Sequence, residues 1–284
     1  MALNHTYDIR LLRHETAAGA GAQVVLLALL GTAVDLGTAG WLTGLAFALG
    51  TWAVLTRALS RSWQRPFGPA NCVTLARATL VGGVTALVAD SFAHPVPVAL
   101  LVGLTSVALV LDAVDGQVAR RTGTSSPLGA RFDMEVDAFL ILVLSVHVSL
   151  SLGAWVLLIG AMRYAFVAAA RFQPWLNAPL PPSTARKTVA ALQGILLLVA
   201  SSHLLPHLLS LAAVVLALAL LTWSFARDVG WLHRTRPRPT APAPREPTRQ
   251  EVSPGLVPGP RAPRPGQRAR DATTAERHLS SGRH

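Results

Sequence analysis

Apolar residues fall into eight runs of 16 to 20 residues along the chain, and a helix needs roughly 20 residues to cross a bilayer. The runs cover about 17–34, 40–59, 71–89, 96–112, 133–148, 154–172, 187–202 and 208–225. Turns that carry Pro, Gly or charged residues separate them. The pattern predicts an all-α protein, a polytopic membrane helix bundle with about eight spans.

Basic residues collect at one end of these predicted spans. They are Arg57, Arg61, Arg65, Arg120, Arg121, Arg131, Arg171, Arg186 and Lys187. The turns at the opposite end hold Asp35, Asp90, His94 and His203, with no Lys or Arg. Because Lys and Arg are enriched in cytoplasmic loops, both termini and the basic end are predicted to face the cytoplasm. The protein is expected to be a multi-pass protein of the cell (plasma or inner) membrane.

Three polar segments lie outside the predicted spans. Residues 1–16 are expected to form a cytoplasmic arm, and residues 60–70 mix arginine with aromatic residues, as is typical of a membrane interface. Residues 233–284 hold ten of the 20 prolines of the chain and eleven arginines. Such a segment buries too little apolar surface to fold, so this Pro/Arg-rich tail is predicted to be disordered.

Composition excludes several kinds of function. Hydrophobic residues make up 51% of the chain and charged residues 14%, with a mean hydropathy of +0.44, as expected of a membrane protein. The single cysteine, Cys72, rules out an internal disulfide and a cysteine metal site. The net charge of +11 is concentrated at helix ends and in the tail, so no nucleic-acid partner is expected.

Four aspartates at the facing ends of two consecutive spans form the strongest chemical pattern. One helical stripe holds Asp112, Asp115, Gly116 and Ala119, and a second holds Gly129, Asp133 and Asp137. Antiparallel helices joined by residues 121–128 would point four carboxylates at one another, and carboxylates that close require cations. Oxygen ligands without His or Cys suit Mg²⁺ or Mn²⁺. The alternative is that each aspartate only caps a helix or is solvated.

The same stretch resembles the motif D-x-x-D-G-x-x-A-R-x8-G-x-x-x-D-x-x-x-D of the CDP-alcohol phosphatidyltransferase family and matches every fixed position. The resemblance implies a six-helix core at about 71–228 that binds two divalent ions, preceded here by an extra transmembrane hairpin at 17–59. It implies metal ligation by Asp112, Asp115 and Asp133, with Asp137 sharing a metal and acting as catalytic base. The implied nucleotide and diphosphate site comprises Gly116, Ala119, Arg120 and Gly129.

A second, weaker motif precedes these aspartates by one span. Asn71, Thr74 and Arg77 share a helical face, and their spacing resembles the N-x-x-T-x-x-R that lies against the nucleotide site in this family. The alternative is an Asn cap, with Arg77 reaching back to a lipid phosphate.

Cations on two later spans suggest how an acceptor is held. The candidate acceptor-binding residues are Arg163, Arg171, Ser183, Arg186 and Lys187. They exceed what a donor diphosphate requires, so we predict a phosphorylated acceptor such as glycerol-phosphate or inositol-phosphate. The competing interpretations are that Arg163 pairs structurally with a core aspartate, and that the other cations face lipid phosphates.

The function expected from the resemblance is transfer of a substituted phosphate from a CDP-alcohol to an acceptor hydroxyl, with release of CMP. The donor would be CDP-diacylglycerol from the surrounding bilayer and the acceptor a small alcohol, in phospholipid biosynthesis. Two rivals remain, an intramembrane Mg²⁺-dependent prenyltransferase and a cation-coupled transporter. Release of CMP separates all three. A homodimer is a further expectation.

Overall fold

The computed structural model describes residues 2–61, 69–122, 127–181 and 183–235, with side chains described over 17–57, 73–114, 129–181 and 183–235. Within these ranges the chain is helical and contains no strand. The eight α-helices of this part are α1 (Ala2–Val34), α2 (Thr38–Arg61), α3 (Pro69–Asp90), α4 (Val98–Thr122), α5 (Pro127–Leu152), α6 (Leu157–Phe172), α7 (Thr184–Ser201) and α8 (His207–Arg234). Short 3-10 turns, Ala154–Val156 and Pro174–Asn177, flank α6.

These helices confirm the predicted all-α polytopic membrane fold. Six segments of the described chain are long and apolar enough to cross a membrane, in α1, α2, α3, α5, α6 and α8. In α4 the apolar stretch is shorter, Val98–Val114. The first turn of α7 contains Arg186 and Lys187, which lowers its hydropathy. The eight helices follow the order of the eight predicted runs.

The ends of several helices differ from the expected segment boundaries. Helix α1 includes the expected N-terminal arm from Ala2 onward, since no Pro or Gly interrupts the sequence before Gly19. Helix α8 continues to Arg234, nine residues beyond the predicted run. Most of the expected interfacial segment, 62–68, and the tail from 236 onward lie outside the described residues.

Helix α3 is the central helix of the described bundle. It packs against α1, α2, α4 and α5, and 61% of its apolar span is buried, against 22% for α1 or α2. Val81, Val84 and Leu87 are completely buried on it. The side chains of α3 therefore face other helices on most sides, and a polar residue on this helix can contact several of them.

The hairpin of α1 and α2 is joined to α3 at the end opposite the predicted aspartate site. The buried Asp90 carboxylate at the end of α3 accepts a hydrogen bond of 3.1 Å from the Gly37 amide, which precedes the first residue of α2. A carboxylate is well placed at a helix N-terminus, where backbone amides lack partners. A Cβ on Gly37 would lie 2.5 Å from Asp90 Oδ1, so a larger residue there would require the Asp90 carboxylate to shift.

Helices α5 and α6 approach closely at another glycine. A Cβ on Gly160 would lie only 2.5 Å from the Leu142 Cα. Below this contact, toward the basic end, Ala170 and Leu176 pack with Leu232 of α8 in a small separate cluster. The last turns of α8 therefore belong to the packed part of the protein.

Candidate active site

Three of the four predicted aspartates converge in the structure. One carboxylate oxygen from each of Asp112, Asp133 and Asp137 lies within 4.8 Å of the others. Asp133 and Asp137 are one turn apart on α5, whereas Asp112 comes from α4, ten residues before its end. We call these residues the aspartate triad. The fourth predicted ligand, Asp115, is in α4, and its side chain lies outside those described.

The aspartate triad is bridged by an arginine from a third helix. Arg77 Nη1 donates to Oδ1 of Asp112 and, at 2.7 Å, to Oδ1 of Asp137. Its Nη2 donates to Oδ1 of Asp133 and, at 3.2 Å, to the Asp133 carbonyl. The planar guanidinium presents several donors in a fixed fork, so one side chain contacts carboxylates from both α4 and α5.

The two sides of the triad differ in their exposure to solvent. Arg77 is 1% exposed, whereas the side chains of Asp112, Asp133 and Asp137 are 38%, 33% and 40% exposed. The carboxylates thus lie between the buried arginine and open space. Access to the triad is from the side opposite Arg77.

The donor set fits a hard divalent cation. Three carboxylates and one guanidinium leave a formal charge of −2, and every candidate ligand atom is oxygen. Ions such as Mg²⁺ or Mn²⁺ prefer such ligands, and Mg²⁺ retains several waters, which the exposed side allows. The triad therefore suits a divalent metal, while the identity of the ion stays a prediction.

The predicted nucleotide residues are only partly described. Thr74 is buried on α3, one turn before Arg77, and Gly129 lies one turn before Asp133 on α5. Asn71, Gly116, Ala119 and Arg120 belong to helices, but their side chains lie outside those described. The structure thus brings Thr74, Arg77 and Gly129 to the same end as the triad, and their nucleotide role remains a prediction.

Arg163 lies away from the aspartate triad. Its Nη2 donates to Glu135 Oε1 at 2.5 Å, so its described partner is Glu135 and not one of the four core aspartates. Glu135 is two residues from both Asp133 and Asp137, about 200° around the helix. Arg163 consequently contacts the side of α5 that faces away from the triad. Glu135 was missed: an arginine within a membrane helix indicates that an acidic partner exists, but the sequence does not identify which acid it is.

Ser183 and Arg186 join a polar cluster at the basic end of α7 and α8. Arg186 Nη1 contacts Asp228 Oδ2 at 3.2 Å, and its Nη2 donates to the Pro181 carbonyl at 2.9 Å. Ser183 Oγ accepts from Arg227 Nη2 at 3.0 Å and from the Arg186 amide at 3.4 Å. We call Ser183, Arg186, Arg227 and Asp228 the α7–α8 cluster. Arg227 and Asp228 were not predicted, because residues 42 to 44 positions apart meet there.

The last two predicted acceptor residues flank this region. Lys187 is exposed on the first turn of α7. Arg171 is exposed at the end of α6, where it lines an open groove of about 580 Å³ together with Phe166, Val167, Ala170, Pro174 and Asn177. The structure therefore groups four of the five predicted residues at one end of α6 and α7, with Arg163 apart.

The chain was compared with models of known protein families. The model described as CDP-alcohol phosphatidyltransferase matches residues 68–225, more than half of the chain, including the triad and Arg77. Comparisons with curated proteins and with solved structures gave no match.

Proposed function

The chain belongs to the CDP-alcohol phosphatidyltransferase family, and from that premise we propose that it transfers a phosphatidyl group from CDP-diacylglycerol to a phosphorylated alcohol. The family supports the general reaction, transfer from a CDP-alcohol to an alcohol in a membrane. The observation that carries the proposal is the aspartate triad, which gathers three carboxylates from two helices within 4.8 Å.

We assign metal binding to Asp112, Asp133 and Asp137, with Asp115 as the fourth ligand on the strength of the motif. A divalent ion held by these residues would neutralise the donor diphosphate and polarise its phosphorus. The chain supplies the oxygen ligands, and Arg77 contacts the triad from its buried side. Two ions, Mg²⁺ or Mn²⁺, are the number that the family motif implies.

Asp137 is the proposed base. Its carboxylate takes the proton from the acceptor hydroxyl, whose oxygen forms a bond to the phosphorus of the phosphatidyl group. The bond that breaks joins this phosphorus to the bridging oxygen, which departs with CMP. Asp137 is two-fifths exposed, so an acceptor entering from the open side of the triad can reach it.

The α7–α8 cluster supports a phosphorylated acceptor. Two guanidinium groups, of Arg186 and Arg227, share the single Asp228 carboxylate, which leaves a positive charge. Lys187 and Arg171 add cations at the same end of the bundle. Guanidinium groups bind phosphate with paired hydrogen bonds. We leave Arg163 out of this group, since Glu135 already neutralises it.

The membrane and its sidedness are also part of the proposal. Arginines and Lys187 cluster at the end of the bundle that holds the triad, and this distribution favours a cytoplasmic active site in the cell membrane. A homodimer remains an expectation from the sequence.

The function is tested with purified protein, labelled CDP-diacylglycerol, Mg²⁺ and a panel of alcohols, followed by lipid mass spectrometry. We expect CMP release, a new phospholipid from a phosphorylated alcohol, and loss of both in excess chelator. Product without CMP would point to another reaction class. Full turnover in chelator would exclude the metal site.

The acceptor proposal has its own kinetic test. Arg186→Ala should raise the KM for a phosphorylated acceptor by about tenfold or more, the effect of losing a charged hydrogen bond, with little change for the CDP-lipid. The matched control is the double substitution Glu135→Gln with Arg163→Gln, which removes an ion pair that makes no contact with the cluster. Equal acceptor KM values in all three proteins, or an uncharged acceptor, would contradict the proposal.

A further inference from the structure

The position of Arg77 under the aspartate triad differs from the nucleotide-binding role that the sequence suggests. Its side chain is 1% exposed, and both terminal nitrogens donate to the triad carboxylates. In this arrangement the guanidinium presents almost no surface to a nucleotide. The side-chain contacts described above join it to the residues proposed to hold metal.

The triad needs a cation whether or not metal is bound. Three carboxylates with oxygens within 4.8 Å of one another repel strongly when all are ionised. The buried Arg77 guanidinium in turn requires the carboxylates, because an unpaired buried charge lowers the stability of the folded state. Arg77 and the triad thus compensate each other in the absence of metal.

We propose that Arg77 is a built-in counter-ion, which keeps the triad assembled without metal and lowers its affinity for divalent cations. This inference rests on the proposed metal site. Arg77 occupies the buried side of the triad and leaves the exposed side to the ion. Its positive charge opposes the charge of an incoming cation through the same carboxylates. The site is therefore formed before metal arrives and binds it with moderate affinity.

The experiment uses the full-length protein in detergent and two readouts that do not require turnover. Melting temperature is followed by the fluorescence of the seven tryptophans, first in chelator and then across a Mg²⁺ titration that gives the half-saturating concentration. Any ligand that binds the native state raises the melting temperature. The variants are Arg77→Gln, Arg77→Lys and Arg77→Gln combined with Asp112→Asn.

Removal of the counter-ion should lower the stability of the metal-free protein but raise its affinity for Mg²⁺. In chelator, Arg77→Gln should lower the melting temperature by about 5–15 °C, because three carboxylates lose their partner. Its half-saturating Mg²⁺ concentration should fall by about tenfold, since a positive charge near the ion is gone. Adding Asp112→Asn should restore part of the metal-free stability by removing one repelling charge. Arg77→Lys keeps the positive charge but loses the forked arrangement of donors. Its melting temperature in chelator and its half-saturating Mg²⁺ concentration should lie between those of the parent and of Arg77→Gln.

A matched control separates the counter-ion effect from simple loss of an ion pair. Arg227→Gln removes a guanidinium from Asp228 at the same end of the bundle, and should leave the half-saturating Mg²⁺ concentration unchanged. If Arg77→Gln can be isolated only with Mg²⁺ present, the parent is compared with Arg77→Lys instead. A lower melting temperature in chelator and a lower half-saturating Mg²⁺ concentration in Arg77→Lys then support the counter-ion role, and unchanged values overturn it.

The outcomes distinguish this inference from the proposed function. An unchanged half-saturating concentration in Arg77→Gln, or no recovery on adding Asp112→Asn, would overturn the counter-ion role while leaving the metal site intact. If Mg²⁺ changes the melting temperature of neither the parent nor any variant, the metal site and the counter-ion role both fail.

Discussion

At the scale of single residues, the three aspartates of the triad reach the site in different ways. Asp133 and Asp137 are one turn apart on α5, so helix geometry alone aligns them. Asp112 belongs to α4 and shares only the Arg77 Nη1 donor with Asp137. Substitution of these residues should therefore have different consequences.

We expect Asp137→Asn to lower turnover by about 10²–10⁴-fold while CDP-alcohol binding is largely kept. An amide retains an oxygen ligand but cannot take a proton from the acceptor. Asp112→Asn should instead weaken the Mg²⁺-dependent binding of the CDP-alcohol. CMP release and equilibrium binding across a Mg²⁺ titration measure the two effects.

The control for this pair is Glu135→Gln, which removes a carboxylate from α5 on the side facing away from the triad. It should retain turnover and Mg²⁺ dependence. Parental rates in both aspartate variants would refute the assignment of roles.

The sequence predicted these aspartates but not their partners. Spacing within one helix places Asp133 and Asp137 on one face, and antiparallel packing brings Asp112 near. Arg77 meets Asp112 across 35 residues and Asp137 across 60, and no helical period encodes such a distance. For the same reason the sequence did not distinguish Arg163 facing Glu135 from Arg163 facing an aspartate.

At the scale of helices, apolar runs predicted the elements but not their closest contacts. The order of the eight helices follows from run length and turn residues. The close approach of α6 to α5 at Gly160 depends on which face each helix presents to the other. The sequence does not show this, because a glycine within a helix does not by itself indicate that another helix packs against it. Gly50, in the middle of α2, has open space where a Cβ would lie.

These two glycines give a matched test of helix packing. Gly160→Ala should destabilise the protein by about 1–3 kcal/mol, because its Cβ would meet the α5 backbone, partly offset by the roughly 1 kcal/mol helix preference of alanine. Gly50→Ala gains the same preference without the clash and should be neutral or stabilising. Melting temperatures of the two variants measure the difference. Equal shifts in melting temperature for the two variants would show that α5 and α6 can move apart without loss of stability.

At the scale of the whole chain, the packed part and the Pro/Arg-rich tail divide near the end of α8. Leu232 is 1% exposed and packs with Ala170 and Leu176, so the boundary predicted at 233 lies within the last turn of a packed helix. Composition alone could not show how far α8 contributes to packing.

Deletion of residues 236–284 should leave turnover in membranes nearly unchanged, since no candidate site residue lies there. Truncation after Gly230 removes Leu232 as well, and should lower the melting temperature because a fully buried leucine contributes about 2–3 kcal/mol. Turnover and melting temperature of the two truncated proteins are compared with the parent. Loss of activity in the first deletion would assign the tail a role in catalysis.

The central place of α3 has a consequence for the order of events during synthesis. Arg77 leaves the ribosome 35 residues before Asp112 and 60 before Asp137. At about 5–20 residues per second, roughly 3–12 s pass before the full triad exists. During this interval α1 and α2 can already cover α3, and until Asp112 is synthesised the cation has none of its three acids. Its place near the start of α3 lets it reach water at the membrane surface. Its ion pairs with the triad can form only after α4 and α5 have been synthesised.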